Sequence, residues 1–269
     1  MSNPAINNDA LISIVVLTYN RPDRVRKQFE QLSNITDQHV EIIIVDNFSE
    51  KPVKEILPVD HGFFVVRNSK NLGAVGRNAG MKIAQGEIIV TLDDDVYGLT
   101  DEHLQKLRRL FLSHDIGAIN FSIREEGAGN IANWCHPYDE SLFVDSFLET
   151  NQISEGAVAF RKAALDQVGF YPEYFFISHE GPDLAYRLIN HGWRVVYTPD
   201  VQVIHAYEEQ GRPGWRRYYY DTRNQLWFVL RNCPFGYGLK KLVISWGSML
   251  VYALRDGYLR YWFRAIWDS

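Results

Sequence analysis

The stretch Gly86–Val96 reads GEIIVTLDDDV. Its apolar run, Ile88–Leu92, is short, continuous and rich in β-branched residues, as expected of a strand covered on both faces. Gly86 stands where a preceding helix would stop, and the run ends abruptly in Asp93, Asp94 and Asp95. Two earlier segments are built the same way. Leu11–Thr18 (LISIVVLT) runs into Tyr19, Asn20 and Arg21, and Glu41–Val45 (EIIIV) runs into Asp46 and Asn47. Between them, Asp23–Leu32 carries Val25, Phe29 and Leu32 at helical spacing, with Pro22 placed for a first turn. A further strand at Phe63–Val66 and a helix from Gly73 to Gln85 complete the series. Strand and helix alternate, which predicts an α/β fold with a doubly wound, mostly parallel sheet.

The second half is less regular. The sequence predicts a helix over Asp101–Ser113 and a strand over Ile116–Phe121, with a loop tip at Gly127–Asn130. Glu155–Phe160 then reads as strand and Ala163–Val168 as helix. A helix follows over Leu184–His191, then short strands over Trp193–Tyr197 and Val201–Ile204. From Trp215 onward the chain is rich in Trp, Tyr, Arg and Leu at helical spacing. The 269 residues suit one α/β unit with an appendage: 1–214 as the main domain, divided near residue 97, and 215–269 as a helical extension.

Composition narrows the function. A net charge of -5 argues against nucleic acid as a partner, because phosphate binding requires a basic surplus. Two distant cysteines, Cys135 and Cys233, form no metal-type spacing and no disulfide framework. Met1–Ala10 lacks a basic-then-apolar leader pattern, and no charge-free apolar run is long enough to span a bilayer. The expected location is cytoplasmic, with peripheral contact on the inner face of the plasma membrane as an extension of that reading.

The acidic triplet carries the chemistry. Three adjacent carboxylates repel one another, and at a buried strand end that cost must be offset by a cation. Mg²⁺ and Mn²⁺ prefer carboxylate oxygens and share their other positions with phosphate. In open α/β sheets, ligands bind beyond the carboxyl ends of the strands, where the triplet falls. Asn71–Gly80 (NLGAVGRNAG) adds glycines that permit close backbone approach, and Arg77, which can meet a diphosphate or hold the carboxylates. Each piece has a plainer reading: turn polarity for Asn20, a helix cap for Asn71, a solvated cation for Arg77. Three successive strands ending in polar clusters do not follow from those readings.

Taken in order, LTYNRP, IIIVDNFSE, NLGAVGRNAG and GEIIVTLDDD resemble the nucleotide-binding half of family 2 glycosyltransferases with the GT-A fold, over roughly Ile12–Val96. The bacterial rhamnosyltransferase-like and galactofuranosyltransferase-like members are the nearest in pattern. The resemblance implies that Thr18, Tyr19, Arg21 and Asp46 border the nucleoside. It implies that Asn71, Gly73 and Arg77 lie along the base, ribose or diphosphate. Asp93 and Asp95 would match the family's Asp-x-Asp metal element, and Asp94 would touch ribose or sugar.

Ile177–Arg187 (ISHEGPDLAYR) resembles the family's second acidic signature, with a departure. Gly181 stands where the family usually carries its catalytic Asp. Glu180 is therefore expected to be the general base, with Asp183 as a helix-anchored carboxylate paired to Arg187. His205, after a Gly192-Trp193 turn, resembles a metal-binding His of relatives that glycosylate carbohydrates. Arg223, in WRRYYYDTRN, resembles a donor-closing Arg, although packing explains most of Tyr218–Tyr220. The tail from Leu239 to Trp267 mixes cations with Trp and Tyr, which fits a membrane surface, a homodimer face or packing on the domain.

The implied activity is metal-dependent, inverting transfer of a sugar from a nucleoside-diphosphate donor to a glycan or lipid-linked saccharide. Two rivals stand beside it. A sugar-phosphate nucleotidyltransferase would carry a Gly-rich N-terminal loop, which LTYNRP lacks. A catalytically silent sugar-binding module would accommodate Gly181.

Overall fold

The computed structural model describes residues 6–60, 62–127, 129–132, 137, 145–206 and 213–269. Cys135 and part of the expected 127–130 loop lie outside them. Strands β1 (Ile12–Thr18), β2 (Val40–Asp46), β3 (Phe64–Arg67) and β4 (Ile88–Asp93) pair in parallel in the order β3-β2-β1-β4. β8 (Ala157–Arg161) joins β4 in antiparallel fashion, and the sheet continues through β6 (Ile116–Glu125) and β9 (Arg194–His205) to β5 (Val96–Tyr97). β7 (Leu148–Glu149) pairs with β9. The sheet is therefore mixed, with its parallel block in the first half of the chain.

The alternation of side chains across the strands builds two cores. Ile12, Ile14 and Val16 of β1 point to one face, with Val25 and Leu32 of α1 (Pro22–Leu32) and Leu104 and Leu107 of α3 (Asp101–Leu110). Val15 points to the other, with Met81 of α2 (Asn78–Ile83), Leu165 of α4 (Lys162–Val168) and Leu184 of α5 (Glu180–Asn190). Register sets the site. Thr18 lies opposite Asp46, and Leu17 opposite Asp93, so three polar strand ends share one edge.

Three expected elements differ in extent. The helix expected over Gly73–Gln85 begins as a 3-10 turn, Gly73–Arg77, before α2. Gly73 has φ +67, and its N–H is held by the Asn71 side chain at 2.8 Å, so the chain turns tightly there. The two strands expected over 193–204 are one long β9, whose pairing with β6 shifts register between Phe121 and Ser122. Helix α5 starts at Glu180 instead of Leu184.

The last helices are α6 (Trp215–Asn232), α7 (Phe235–Arg255) and α8 (Leu259–Trp267). They pack on one another around Tyr218, Met249 and Ala253. Trp246 donates its indole N–H to the Thr222 carbonyl at 2.8 Å, and Trp262 donates to Trp246 at 3.1 Å. Buried Asn224 fastens α6 to the sheet domain by donating to the carbonyls of Phe175, Ile177 and Ser178. Among the described residues, no helix is long and apolar enough to cross a membrane.

Close packing of α2 on the sheet gives a stability prediction. A Cβ at Gly80 would stand 2.6 Å from a Val15 methyl and 2.7 Å from one of Val45. Gly80→Val should overpack this contact and cost about 1–3 kcal/mol. Chemical denaturation should show a lower midpoint with an unchanged slope. An unchanged midpoint would mean that α2 can lift off the sheet freely.

Candidate active site

At the end of β4 the triplet is divided among different partners. Asp94 is buried and accepts from Thr18 Oγ1 at 2.7 Å and from Arg21 at 2.8 Å. Burial pushes its carboxyl up to about 6 despite the opposing pull of Arg21 and Thr18. Asp95 accepts from the same Arg21 nitrogen at 2.9 Å. Thr18 and Arg21 thus hold the aspartates in place, and Tyr19 beside them remains exposed.

The β5–β9 ladder pairs Val96 with His205, which brings His205 Nε2 to 3.5 Å from Asp95 Oδ1. Ala206 N–H, donating to the Asp95 carbonyl at 2.8 Å, fixes the same approach. A carboxylate oxygen and an imidazole nitrogen form a donor pair suited to Mn²⁺. Two donors each about 2.1 Å from one ion lie no more than about 4 Å apart, so the pair fits. Asp93 is not part of it. Its carboxylate accepts from Arg77 at 2.7 Å, and among the described residues no three His, Cys, Asp or Glu side chains stand grouped for a metal.

The residues expected along the nucleotide are tied to each other. Asp46 is buried and accepts from Ser49 N–H, Val53 N–H and Arg67, so its carboxylate shapes the loop after β2. Asn71 accepts from Asn47 at 3.0 Å as well as from Gly73. Gly73 lies against backbone: a Cβ there would overlap the Phe176 carbonyl, to which Ala74 N–H donates at 2.7 Å. Its lack of a side chain serves the protein's own packing, not a diphosphate. Asn47 is the unexpected hub. Buried, it donates to Asn71 and to the Gly73 carbonyl, and accepts from Asn68 and from Leu72 N–H.

Arg77 takes the second of its two expected roles. It is buried and donates to Asp93, to the Ala74 carbonyl and to the Glu155 carbonyl. Its guanidinium lies among Asp93, Tyr171, Glu155 and Glu180. Asp183 is fully buried and accepts from Arg187, Arg231 and Asn232, each at 2.8 Å. It joins α5 to α6 and is saturated as a proton acceptor. Arg223 also serves cohesion. It donates to the carbonyls of Tyr174 and Phe175 and lies 4.4 Å over the Trp227 ring.

The sequence profile described as glycosyl transferase family 2 matches residues 13–169. The chain belongs to that family. An uncharacterized glycosyltransferase, YwdF of Bacillus subtilis, is 30% identical over 74% of this chain and 75% of its own length. The N-acetylglucosaminyl-diphospho-decaprenol L-rhamnosyltransferase of Mycobacterium tuberculosis is 24% identical over 72% of this chain and 76% of its own. Among solved structures, the mannosyltransferase PcManGT of Pyrobaculum calidifontis, in complex with GDP-Man and Mn²⁺, superposes with a TM-score of 0.63 at 16% identity. That match covers 95% of this chain and 74% of the other. The fold is GT-A, and the protein is a glycosyltransferase.

For a glycosyltransferase of this pattern, the position of most interest is Gly181. The space a side chain would take there is filled. A Cβ at residue 181 would overlap Glu155 Oε1 and would stand 2.5 Å from the Ile153 carbonyl. The Glu155 carboxyl reaches under the start of α5 and accepts the Gly181 N–H. Glu180 is buried beside it, and its Oε2 has no hydrogen-bond partner among the described residues. Burial pushes both carboxyls up, Glu180 well above the ordinary range; the nearby Glu155 raises Glu180 further, and Asp93 raises Glu155. Sequence reading missed Glu155, because it precedes β8 far from any acidic signature. The signal was the glycine: an absent side chain in an acidic motif calls for a carboxylate from elsewhere.

The shared space can be measured. Gly181→Ala should cost about 1–3 kcal/mol through overlap with Glu155 and the Ile153 carbonyl. Adding Glu155→Ala should return part of that cost, giving a coupling of at least about 1 kcal/mol in a double-mutant cycle. Strictly additive losses would show that the two residues do not compete for one volume.

Proposed function

We propose that this glycosyltransferase uses a divalent cation to transfer a sugar, with inversion, from a nucleoside-diphosphate sugar to a hydroxyl of a lipid-linked saccharide or growing glycan. The observation that carries the reading is the arrangement at the carboxyl edge of the sheet. Asp95 and His205 face each other on one side, and the buried Glu155–Glu180 pair lies on the other, with Asp93 and Arg77 between. Residues 1–214 are taken as the catalytic domain and 215–269 as its helical extension.

Asp95 and His205 would hold the cation, which when bound supplies charge to the departing diphosphate. The imidazole nitrogen favours Mn²⁺ over Mg²⁺. Arg21 and Thr18 keep Asp94 and Asp95 oriented, and exposed Tyr19 and Asn71 line the approach to the nucleoside. Glu180 takes the proton of the acceptor hydroxyl, and Asp183 positions α5 through its three partners. Glu155 keeps a second carboxyl against Glu180 and so holds its proton affinity high. Support for the acceptor class comes from the relative named for a diphospho-decaprenol substrate.

Two predictions test this reading. His205→Ala should raise the metal concentration needed for half-maximal transfer at least about tenfold, as loss of one of few ligands would. His191→Ala, at the exposed end of α5, should leave it unchanged. Equal responses would remove His205 from the metal site, and full wild-type transfer in excess chelator would remove the metal.

The second concerns Glu180. An unfolded glutamate ionises near 4.5, and burial raises the folded value well above this. The fold therefore keeps the proton on as pH rises past 4.5, and the basic form appears only through the raised value. Turnover should rise with pH to a midpoint above the ordinary carboxylate range, while the stability gained from the bound proton declines over the same interval. Glu180→Gln should lower kcat by about 10²–10⁴ with donor affinity little changed and should flatten the pH profile. Near-normal turnover in that variant would transfer the role to another group.

A further inference from the structure

A cavity of about 380 Å³ lies between α6 and α7, lined by Gln225, Tyr237, Lys240, Lys241, Ile244 and Ser245. It is separate from the Asp95–His205 pair and from the Glu155–Glu180 pair. Among the described residues no carboxylate lines it, so two ammonium groups and a phenol face a wall that is otherwise amide, hydroxyl and apolar. The Lys241 ammonium also lies 5.3 Å over the Phe228 ring, which keeps that side chain folded towards α6. Gln225 is buried. Its Oε1 is shared by Ser245 Oγ at 3.3 Å and His179 Nε2 at 2.9 Å, and its Nε2 has no hydrogen-bond partner among the described residues. Two cations, a hydroxyl and an unsatisfied amide donor in one recess form a site for an anion with several acceptor oxygens.

The surroundings specify what carries that anion. Phe235, Leu239, Val243, Ile244 and Val251 of α7, and Trp267 of α8, are all exposed. An apolar face of this extent is uncommon on a protein that meets only water. Charge points the same way. Trp215–Ser269 holds nine Lys and Arg against three Asp, in a chain whose net charge is -5. The three acids, Asp221, Asp256 and Asp268, are each within ion-pair distance of a neighbouring Arg, so the cavity lysines keep their charge available. An apolar face with cations at its margin suits the zone where lipid tails meet phosphates.

The cavity also communicates with the site of transfer. Gln225 in its wall bonds His179, and His179 is the residue that starts α5 immediately before Glu180. An anion held by Lys240 and Lys241 thus lies one side chain away from the first turn of the helix that bears the proposed base. We propose that this cavity binds the diphosphate of a lipid-anchored acceptor, with the lipid chain along the exposed face of α7 and the acceptor sugar directed towards Glu180. The inference rests on the glycosyltransfer reading above for the identity of the acceptor, but not for the existence of the anion site.

Binding of farnesyl diphosphate, below its aggregation concentration and in chelator to silence any metal-dependent donor site, tests it by calorimetry. Wild type should bind, and Lys240→Gln/Lys241→Gln should weaken binding about tenfold or more. Lys240→Arg/Lys241→Arg should restore it, since charge and donors return. Farnesol and inorganic pyrophosphate should each bind far more weakly than the complete amphiphile. Equal binding by wild type and the Gln variant, or by farnesol, would overturn the anion site. Pyrophosphate binding as tight as the lipid form would overturn the lipid assignment. Donor hydrolysis by the wild type with Mn²⁺, measured separately, reads the glycosyltransfer assignment alone. Hydrolysis without lysine-dependent binding would sink the subsite only, and lysine-dependent binding without hydrolysis would sink only its catalytic meaning.

Discussion

Charge balance at one edge of the sheet is the constraint on which the site depends. Asp93, Asp94, Asp95, Glu155 and Glu180 converge there, and the guanidiniums among them are partly exposed Arg21 and buried Arg77. Five carboxyls against two guanidiniums cannot all ionise in a buried setting, because each unpaired charge would lose its hydration without recompense. The fold resolves this unevenly. Burial pushes Asp94 up to about 6 and raises the two glutamates as well, so the fold favours the neutral form of these carboxyls more than solvent does. A divalent cation beside Asp95 would change that balance and favour ionised carboxylates nearby. Metal affinity and the proton content of this edge are therefore linked quantities, not separate properties.

Glycine 181 shows how a catalytic constellation can be redistributed without moving the backbone. A carboxyl arriving from the segment before β8 fills the volume that a side chain on α5 would take, and it accepts the helix's own Gly181 N–H. That bond also satisfies one of the unpaired N–H groups at the start of the helix. The exchange couples two residues that are far apart in sequence. Neither Gly181 nor Glu155 can change alone without leaving a void or a collision, and this explains why the acidic signature looks broken when read along the chain yet is intact in space.

The parallel half of the fold was legible because its signals are local. Continuous β-branched runs, a proline at a helix start and glycines at turns specify β1, β2, β4 and their crossovers with no tertiary information. The aspartate triplet also lay where reading placed it, at the end of β4. The partners of these groups were not legible. Whether Asp46 faces a nucleoside or Arg67, and whether Arg223 reaches a diphosphate or two backbone carbonyls, depends on loops packed from distant segments. The antiparallel joining of β8 to β4 was equally hidden, since a fully buried strand reads the same in either direction. His205 was approached correctly only as one of a trio. The ladder with β5 brings it to Asp95, while Arg77 retains Asp93.

The C-terminal helices change the meaning of the residues that fasten them. Asp183 accepts from Arg231 and Asn232 of α6, Asn224 holds the carbonyls of Phe175, Ile177 and Ser178, and Gln225 bonds His179. All of these attachments converge on the segment that leads into α5, whose first residue is Glu180. His179 there adopts a left-handed conformation, as does Ser178, and neither is glycine. Such geometry costs on the order of 1–3 kcal/mol per residue and persists only where surroundings impose it. The helices impose it. The strained turn sets where Glu180 enters the buried pair, so the extension helps fix the geometry of that pair. A force applied to α7, by a surface or by an anion drawn between α6 and α7, would reach the base through this same turn.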